Sequence, residues 1–185
     1  MNSFDGHLWQ RAASFAARAH EHQVRKDGVT PYVAHPCRVA VTVAVVFGET
    51  DEQAMAAALL HDVIEDGETD YDELAEHFGD LVAQVVAALS KDARLPEPER
   101  EPAYDSQLAA ADWRARLVKL GDVYDNMSDL STRSLAGPEE LRRVLERAER
   151  AIGLAVDCAD DRPSILIAVE RVRGLITGYR DRTAS

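Results

Sequence analysis

The run Met55-Ala-Ala-Ala-Leu-Leu-His-Asp-Val-Ile-Glu-Asp66 constrains this chain more than any other. Its first half is small and apolar, as in a helix packed deep inside a domain. Its second half sets His61, Asp62, Glu65 and Asp66 into that apolar setting. On a continuous helix, at about 100° per residue, those side chains fall within an arc of about 140°, with Leu60, Val63 and Ile64 on the other side. Two outcomes satisfy such a run. Either an amphipathic helix ends in solvated charge, or the groups are buried, which requires pairing or a metal ion. Adjacent His61-Asp62 supplies an imidazole nitrogen and a carboxylate oxygen, both good metal ligands.

The charge distribution sharpens the alternative. The net charge of −12 argues against a general nucleic-acid surface. Residues 51–80 hold eleven acidic and no basic residues, so the acidity sits around this helix. Such a block aids solubility and also suits a cation site. The longest apolar run, Val39–Phe47, contains Thr42 and is too short to span a bilayer. The first ten residues do not resemble a signal peptide. Cys37 and Cys158, the two cysteines, make neither a disulfide framework nor a zinc cluster. A reduced, cytoplasmic setting is the expectation.

At 185 residues the chain is long enough for one full core. Leu8, Ala12, Phe15, Ala16 and Ala19 recur at helical spacing, predicting a helix from Leu8 to about His22. Asp27-Gly28 and Thr30-Pro31 mark residues 23–32 as a loop. His35-Pro36 opens a helix that runs to Phe47 and stops at Gly48. Asp51 caps the next, which is expected to end near Gly67. Thr69 caps a short helix to Phe78, Gly79 breaks it, and Leu81–Leu89 forms a buried one. Residues 94–102 hold three prolines and are expected to form a mobile surface loop. Helix resumes by Gln107 and runs to Leu130, with a break near Asp112; further helices open at Pro138, to about Ala159, and at Pro163, to about Arg180. The expected fold is all-α, a compact bundle of seven to nine helices. It forms one domain over residues 1–185, with a core over 8–150 and helices over 138–182 packing on it.

A second polar cluster lies at Lys119, Asp122, Asn126 and Asp129, which share one face of a helix, while Leu120, Tyr124, Met127 and Leu130 share the opposite face. In isolation this is also the pattern of an ordinary surface helix. A lone histidine before a proline, such as His35, is more often a capping or core residue than a ligand, and Arg25-Lys26 alone is a basic pair in a loop.

The combination and order are more specific. His35, then His61-Asp62, then Asp122 resembles the H…HD…D pattern of the HD superfamily of metal-dependent phosphohydrolases. More narrowly, the chain is similar to the hydrolase domain of RelA/SpoT-type enzymes and to small stand-alone alarmone hydrolases. The matching text is Ala19-His20, Arg25-Lys26-x-Gly28, Pro31-Tyr32-x-x-His35-Pro36-x-x-Val39-Ala40, Ala57 to Asp66, Phe78-Gly79 and Val118-Lys119-Leu120-x-Asp122-x-x-x-Asn126. The resemblance covers about residues 8–150.

It implies that His35, His61, Asp62 and Asp122 hold one divalent cation, manganese in most of the family. Glu65 and Asp66 would assist the nucleophilic water and proton transfer. Arg25 and Lys26 would meet substrate phosphates, and Asn126 would bind substrate or order the site. Tyr32 would either stack on a base or pack beneath the loop. The implied reaction is hydrolysis of the 3′-pyrophosphate of guanosine tetra- or pentaphosphate (ppGpp, pppGpp) by a hydrolase without a synthetase domain. The implied partner is a small nucleotide, with neither nucleic acid nor membrane.

The chain also departs from the family pattern. Gly67 stands where threonine is common, Gly121 where alanine is usual, and Val123 and Ser128 where basic residues are common. None of these removes a ligand. The two missing cations leave open another phosphorylated nucleotide, such as NADPH or a deoxynucleotide. A third reading is a non-catalytic helical module that binds nucleotide or protein, against which the intact Glu65-Asp66 pair speaks.

Overall fold

The chain is described by a computed structural model over residues 7–65, 67, 69–132, 137–159 and 161–183. Its helices are α1 (Leu8–Ala19), α2 (Ala34–Val41), α3 (Glu52–Leu60), α4 (Tyr71–Phe78), α5 (Asp80–Leu89), α6 (Glu97–Ala110), α7 (Trp113–Thr132), α8 (Pro138–Val156) and α9 (Pro163–Thr183). A π-helical turn at Thr42–Val46 continues α2. Among the described residues there is no strand, only an isolated bridge between Val24 and Pro31. The fold is therefore all-α, as the periodicity predicts. No helix there is long and apolar enough to cross a membrane.

The axis of the bundle is α7. Leu117, Val118, Leu120 and Met127 on it are fully buried, and α2, α3, α5, α8 and α9 pack around them. Gly121 lets α2 come close: a Cβ there would stand 3.2 Å from Val39 Cγ1 and 3.1 Å from Val43 Cγ2. From the other side, Tyr179 of α9 donates its hydroxyl to the Met127 carbonyl at 2.6 Å. The N-terminal ends of α3 and α7 are tied together. Asp51 caps α3 by accepting from the Ala54 amide at 2.8 Å, and its two oxygens take two guanidinium hydrogen bonds from Arg114 at 2.7 Å each.

The first and eighth helices end about one turn early, at Ala19 and Val156, and three other boundaries differ from the sequence expectation for reasons visible in the structure. The third helix stops at Leu60, not near Gly67. His61 donates Nδ1–H to the Ala58 carbonyl at 2.9 Å, satisfying one of the orphan acceptors at a helix end. The Val63 amide then turns back to the Leu60 carbonyl, so residues 61–65 form a turn. The start of α4 is capped by Asp70, which accepts from the Glu73 amide, and not by Thr69. The proline-rich segment 94–102, expected as a mobile loop, is mostly helix: α6 begins at Glu97. Pro98 falls in the first turn, where a missing N–H matters little. Pro102 lies inside and forgoes one hydrogen bond, while Tyr104 and Leu108 beyond it are buried and anchor the helix by packing. Gln107 adds a tie by donating to the Ala87, Ala88 and Ser90 carbonyls at the end of α5.

Candidate functional site

Three separate segments converge at one end of a cavity of about 520 Å³. His35 sits in the first turn of α2, His61 and Asp62 follow α3, and Asp122 lies mid-way along α7. Ligand atoms of His35, His61 and Asp62 all lie within 4.8 Å of one another and could hold a metal ion. Asp122 joins them, with Oδ1 3.2 Å from His35 Nε2 and 4.0 Å from His61 Nε2. Asp62 Oδ2 is 3.1 Å from His61 Nε2 and 3.6 Å from His35 Nε2.

The hydrogen bonds on the far side of each ring say what this arrangement is built for. His61 gives its Nδ1–H to the Ala58 carbonyl. Its buried Nε2 has no hydrogen-bond partner, although a carboxylate oxygen is close. His35 likewise turns Nδ1 to Asp125 at 2.7 Å and Nε2 to Asp122 and Asp62. In that tautomer two nitrogen lone pairs and two carboxylates face a common point. Such a donor set repels itself unless a cation lies between, and it fits a divalent metal. Without one, protons take its place. Burial opposes charge on His35, but hydrogen bonds to Asp122 and Asp125 outweigh it and lift its pKa to about 9. His61 is raised too, burial being overcome by Asp62. Asp62 is brought down to about 2, burial being outweighed by His61. Asp122 is held well below the carboxylate range by Lys119 and His35 despite its burial.

The remaining predicted residues line the same cavity. Tyr32 donates its hydroxyl to Asp62 Oδ2 at 2.7 Å, a role neither alternative for Tyr32 anticipated. Its ring also packs at a tilt against that of His20, with centroids 4.8 Å apart and planes at 40°, and lies under the Arg25 guanidinium at 5.6 Å. Arg25 donates to Asn126 Oδ1 at 3.1 Å and Asp129 Oδ2 at 3.2 Å, so it is braced by α7. Asn126 in turn donates to Asp122. Lys26 reaches Glu140 at 3.6 Å and borders the opening. Lys119 donates to Asp122 Oδ2 at 2.8 Å and is held charged by it, so it neutralises that carboxylate. Glu65 lies on the cavity wall. Burial there, with Asp62 nearby, raises its carboxyl above the usual range against the pull of the Lys91 amide. Asp66, paired with it in the sequence reading, lies outside the described residues.

Two residues of the site were not singled out from sequence. Asp125, 4% exposed, orients His35 and is clasped by Arg38, which donates from Nε at 2.6 Å and Nη2 at 2.9 Å. Asp125 sits three residues after Asp122 on α7, a spacing that marks a neighbouring position on one helix face. That spacing was the only signal available.

The chain is similar to known proteins over most of its length. The sequence profile of the HD domain matches residues 12–149. The chain is 42% identical over 141 residues to guanosine-3′,5′-bis(diphosphate) 3′-pyrophosphohydrolase MESH1 of Homo sapiens, covering 76% of this chain and 78% of that protein. It is 39% identical over 124 residues to guanosine-3′,5′-bis(diphosphate) 3′-pyrophosphohydrolase of Aquifex aeolicus, covering 65% of this chain but 17% of that protein. Among solved structures, a metazoan ortholog of SpoT described as hydrolysing ppGpp superposes with a TM-score of 0.77 at 27% identity, covering 94% of this chain and 99% of that one.

Proposed function

The chain belongs to the HD-domain family, and from that premise we propose that it is a metal-dependent hydrolase removing the 3′-pyrophosphate of guanosine tetra- and pentaphosphate to leave GDP or GTP. The observation that carries the reading is the pair of imidazole Nε2 atoms turned, with Asp62 and Asp122, onto one point at the end of the cavity. Relatives named for this reaction, similar over about three quarters of the chain, supply the substrate.

In this proposal His35, His61, Asp62 and Asp122 hold one divalent cation, manganese. When bound, such an ion polarises a phosphoryl oxygen and lowers the pKa of a coordinated water. The other steps fall to side chains. Glu65, with its raised pKa, accepts the proton of the attacking water, and Asp66 is assigned the accompanying proton transfer. The water oxygen bonds to the phosphorus on the ribose 3′-oxygen, that P–O bond breaks, and the departing 3′-oxygen takes a proton. Arg25 and Lys26 hold phosphate, Arg25 being fixed in direction by Asn126 and Asp129. Asn126 holds the Asp122 carboxylate, and Tyr32 holds that of Asp62. The proposal places the reaction in the cytoplasm.

Incubating the purified protein with ppGpp and manganese is expected to release pyrophosphate, and Asp62→Ala is expected to abolish that release. No pyrophosphate from a protein shown to carry the metal overturns the reading. One observation favours a second substrate. Val123 is buried on the cavity wall, and Ser128 is turned to the Tyr124 carbonyl of its own helix, so neither position offers a cation. A panel of NADPH and deoxynucleoside triphosphates, compared with ppGpp by kcat/KM, decides between them.

A further inference from the structure

A substrate with a diphosphate on each side of its ribose presents two anionic poles, and the cavity has cationic groups at two places. The first is the cation site with Arg25 and Lys26. The second lies where α5, α6 and α8 meet. Lys91, just after α5, donates from Nζ to Glu101 Oε1 at 2.5 Å, and Arg150 of α8 donates to Glu101 Oε2 at 2.8 Å. All three line the same cavity as Asp62 and Asp122. Glu101 therefore holds two converging cations with two oxygens, as a phosphate would.

Tyr104 connects this place to the cation site. It is buried, 6% exposed, and its hydroxyl has no hydrogen-bond partner although the residue lines the cavity. Its ring has Lys91 Nζ at 5.3 Å and Lys119 Nζ at 5.6 Å, and Lys119 is the residue bonded to Asp122. A buried hydroxyl without a partner is uncommon and calls for an explanation, and a ligand oxygen supplies one. The same oxygen suits the lysines beside the ring.

We propose that Lys91, Tyr104 and Arg150 form a second anion subsite, which takes the 5′-diphosphate of the nucleotide while the 3′-diphosphate lies at the cation site, and that Glu101 fills this subsite until the nucleotide displaces it. The proposal rests on the hydrolase reading for the identity of the ligand. Its geometry, with an internal carboxylate standing in for phosphate, is independent of catalysis. It also assigns a role to α6, whose residues bring both the hydroxyl and the stand-in carboxylate to the cavity.

Two measurements test it. Calorimetric binding of GDP to the protein without added metal reads the subsite alone. Lys91→Ala combined with Arg150→Ala is expected to weaken GDP by about tenfold or more, Tyr104→Phe to weaken it less, and Glu101→Gln to tighten it. The second compares kcat/KM for ppGpp with that for guanosine 3′-diphosphate carrying a free 5′-hydroxyl. The double variant is expected to lower the ratio of the two by about tenfold or more. GDP binding that is absent in the wild type or indifferent to these changes overturns the subsite, and marks Glu101 as a structural clasp between helices. Hydrolysis of neither substrate by the wild type overturns the hydrolase reading instead, while the GDP result still decides the subsite.

Discussion

Asp125 illustrates how much of the proposed metal site resides in residues outside the ligand set. It fixes the tautomer and aim of His35, and Arg38 fixes Asp125. Replacing Asp125 by asparagine keeps the shape and removes the charge. The expected outcome is a metal affinity lower by about 10–100-fold, measured by competition with a chelating dye, with the thermal midpoint of the metal-free protein recorded alongside as a check on folding. The four proposed ligands were legible in the sequence because their types, order and spacing are unusual together. Asp125 was not, since an aspartate on a helix bearing Asp122 and Asp129 looks like ordinary surface charge, and its partner Arg38 is 87 positions away. Tyr32 is legible as a ring that stacks on a base or packs beneath the loop, while the bond from its hydroxyl to Asp62 depends on how the loop packs and has no signal in the sequence.

At the scale of elements, most helices could be read from periodicity and caps. The errors came where a side chain or a tertiary contact overrides local propensity. His61 ends α3 with its own ring, which the apolar pattern on either side conceals. The prolines of α6 signal a loop, yet Tyr104, Leu108 and Gln107 hold the segment against α5 in helical form. Asp51 illustrates a cap that was legible and a partner that was not. Its link to Arg114 sets the start of α3, which leads to His61, against the start of α7, which leads to Asp122. Asp51→Ala is expected to destabilise the fold by about 1–2 kcal/mol through the cap alone, measured by urea unfolding. Arg114 lowers the Asp51 pKa against the effect of burial. A carboxylate depressed in the folded state contributes stability above its unfolded value of 3.8 and loses it as pH falls through the lower folded value. The gap between wild type and Asp51→Asn should therefore be full at neutral pH and narrow below about pH 4. A gap that widens in acid would contradict this assignment.

For the whole molecule, the C-terminal helix matters although the HD profile stops at residue 149. Tyr179 reaches from α9 to a carbonyl of the central helix. Tyr179→Phe is expected to cost about 1 kcal/mol, the usual loss for one buried hydrogen bond, read as a lower urea midpoint with an unchanged slope. The proposed metal would act on a larger scale, because its proposed ligands come from three segments between His35 and Asp122. Saturating manganese should raise the thermal midpoint and a chelator should lower it, the stabilisation reaching about 4 kcal/mol at a thousandfold excess over Kd. Ligation requires neutral imidazoles, so the shift should shrink as pH is lowered.

His61 closes α3 with one ring nitrogen and points the other at the Asp62 and Asp122 carboxylates. In the proposed metal site, fraying of that helix end and loss of a ligand nitrogen would be a single event. The residence time of an ion held there and the breathing of the last turn of α3 would run on one clock, and a substitution that only loosens that turn would shorten the life of the loaded form without touching a proposed ligand.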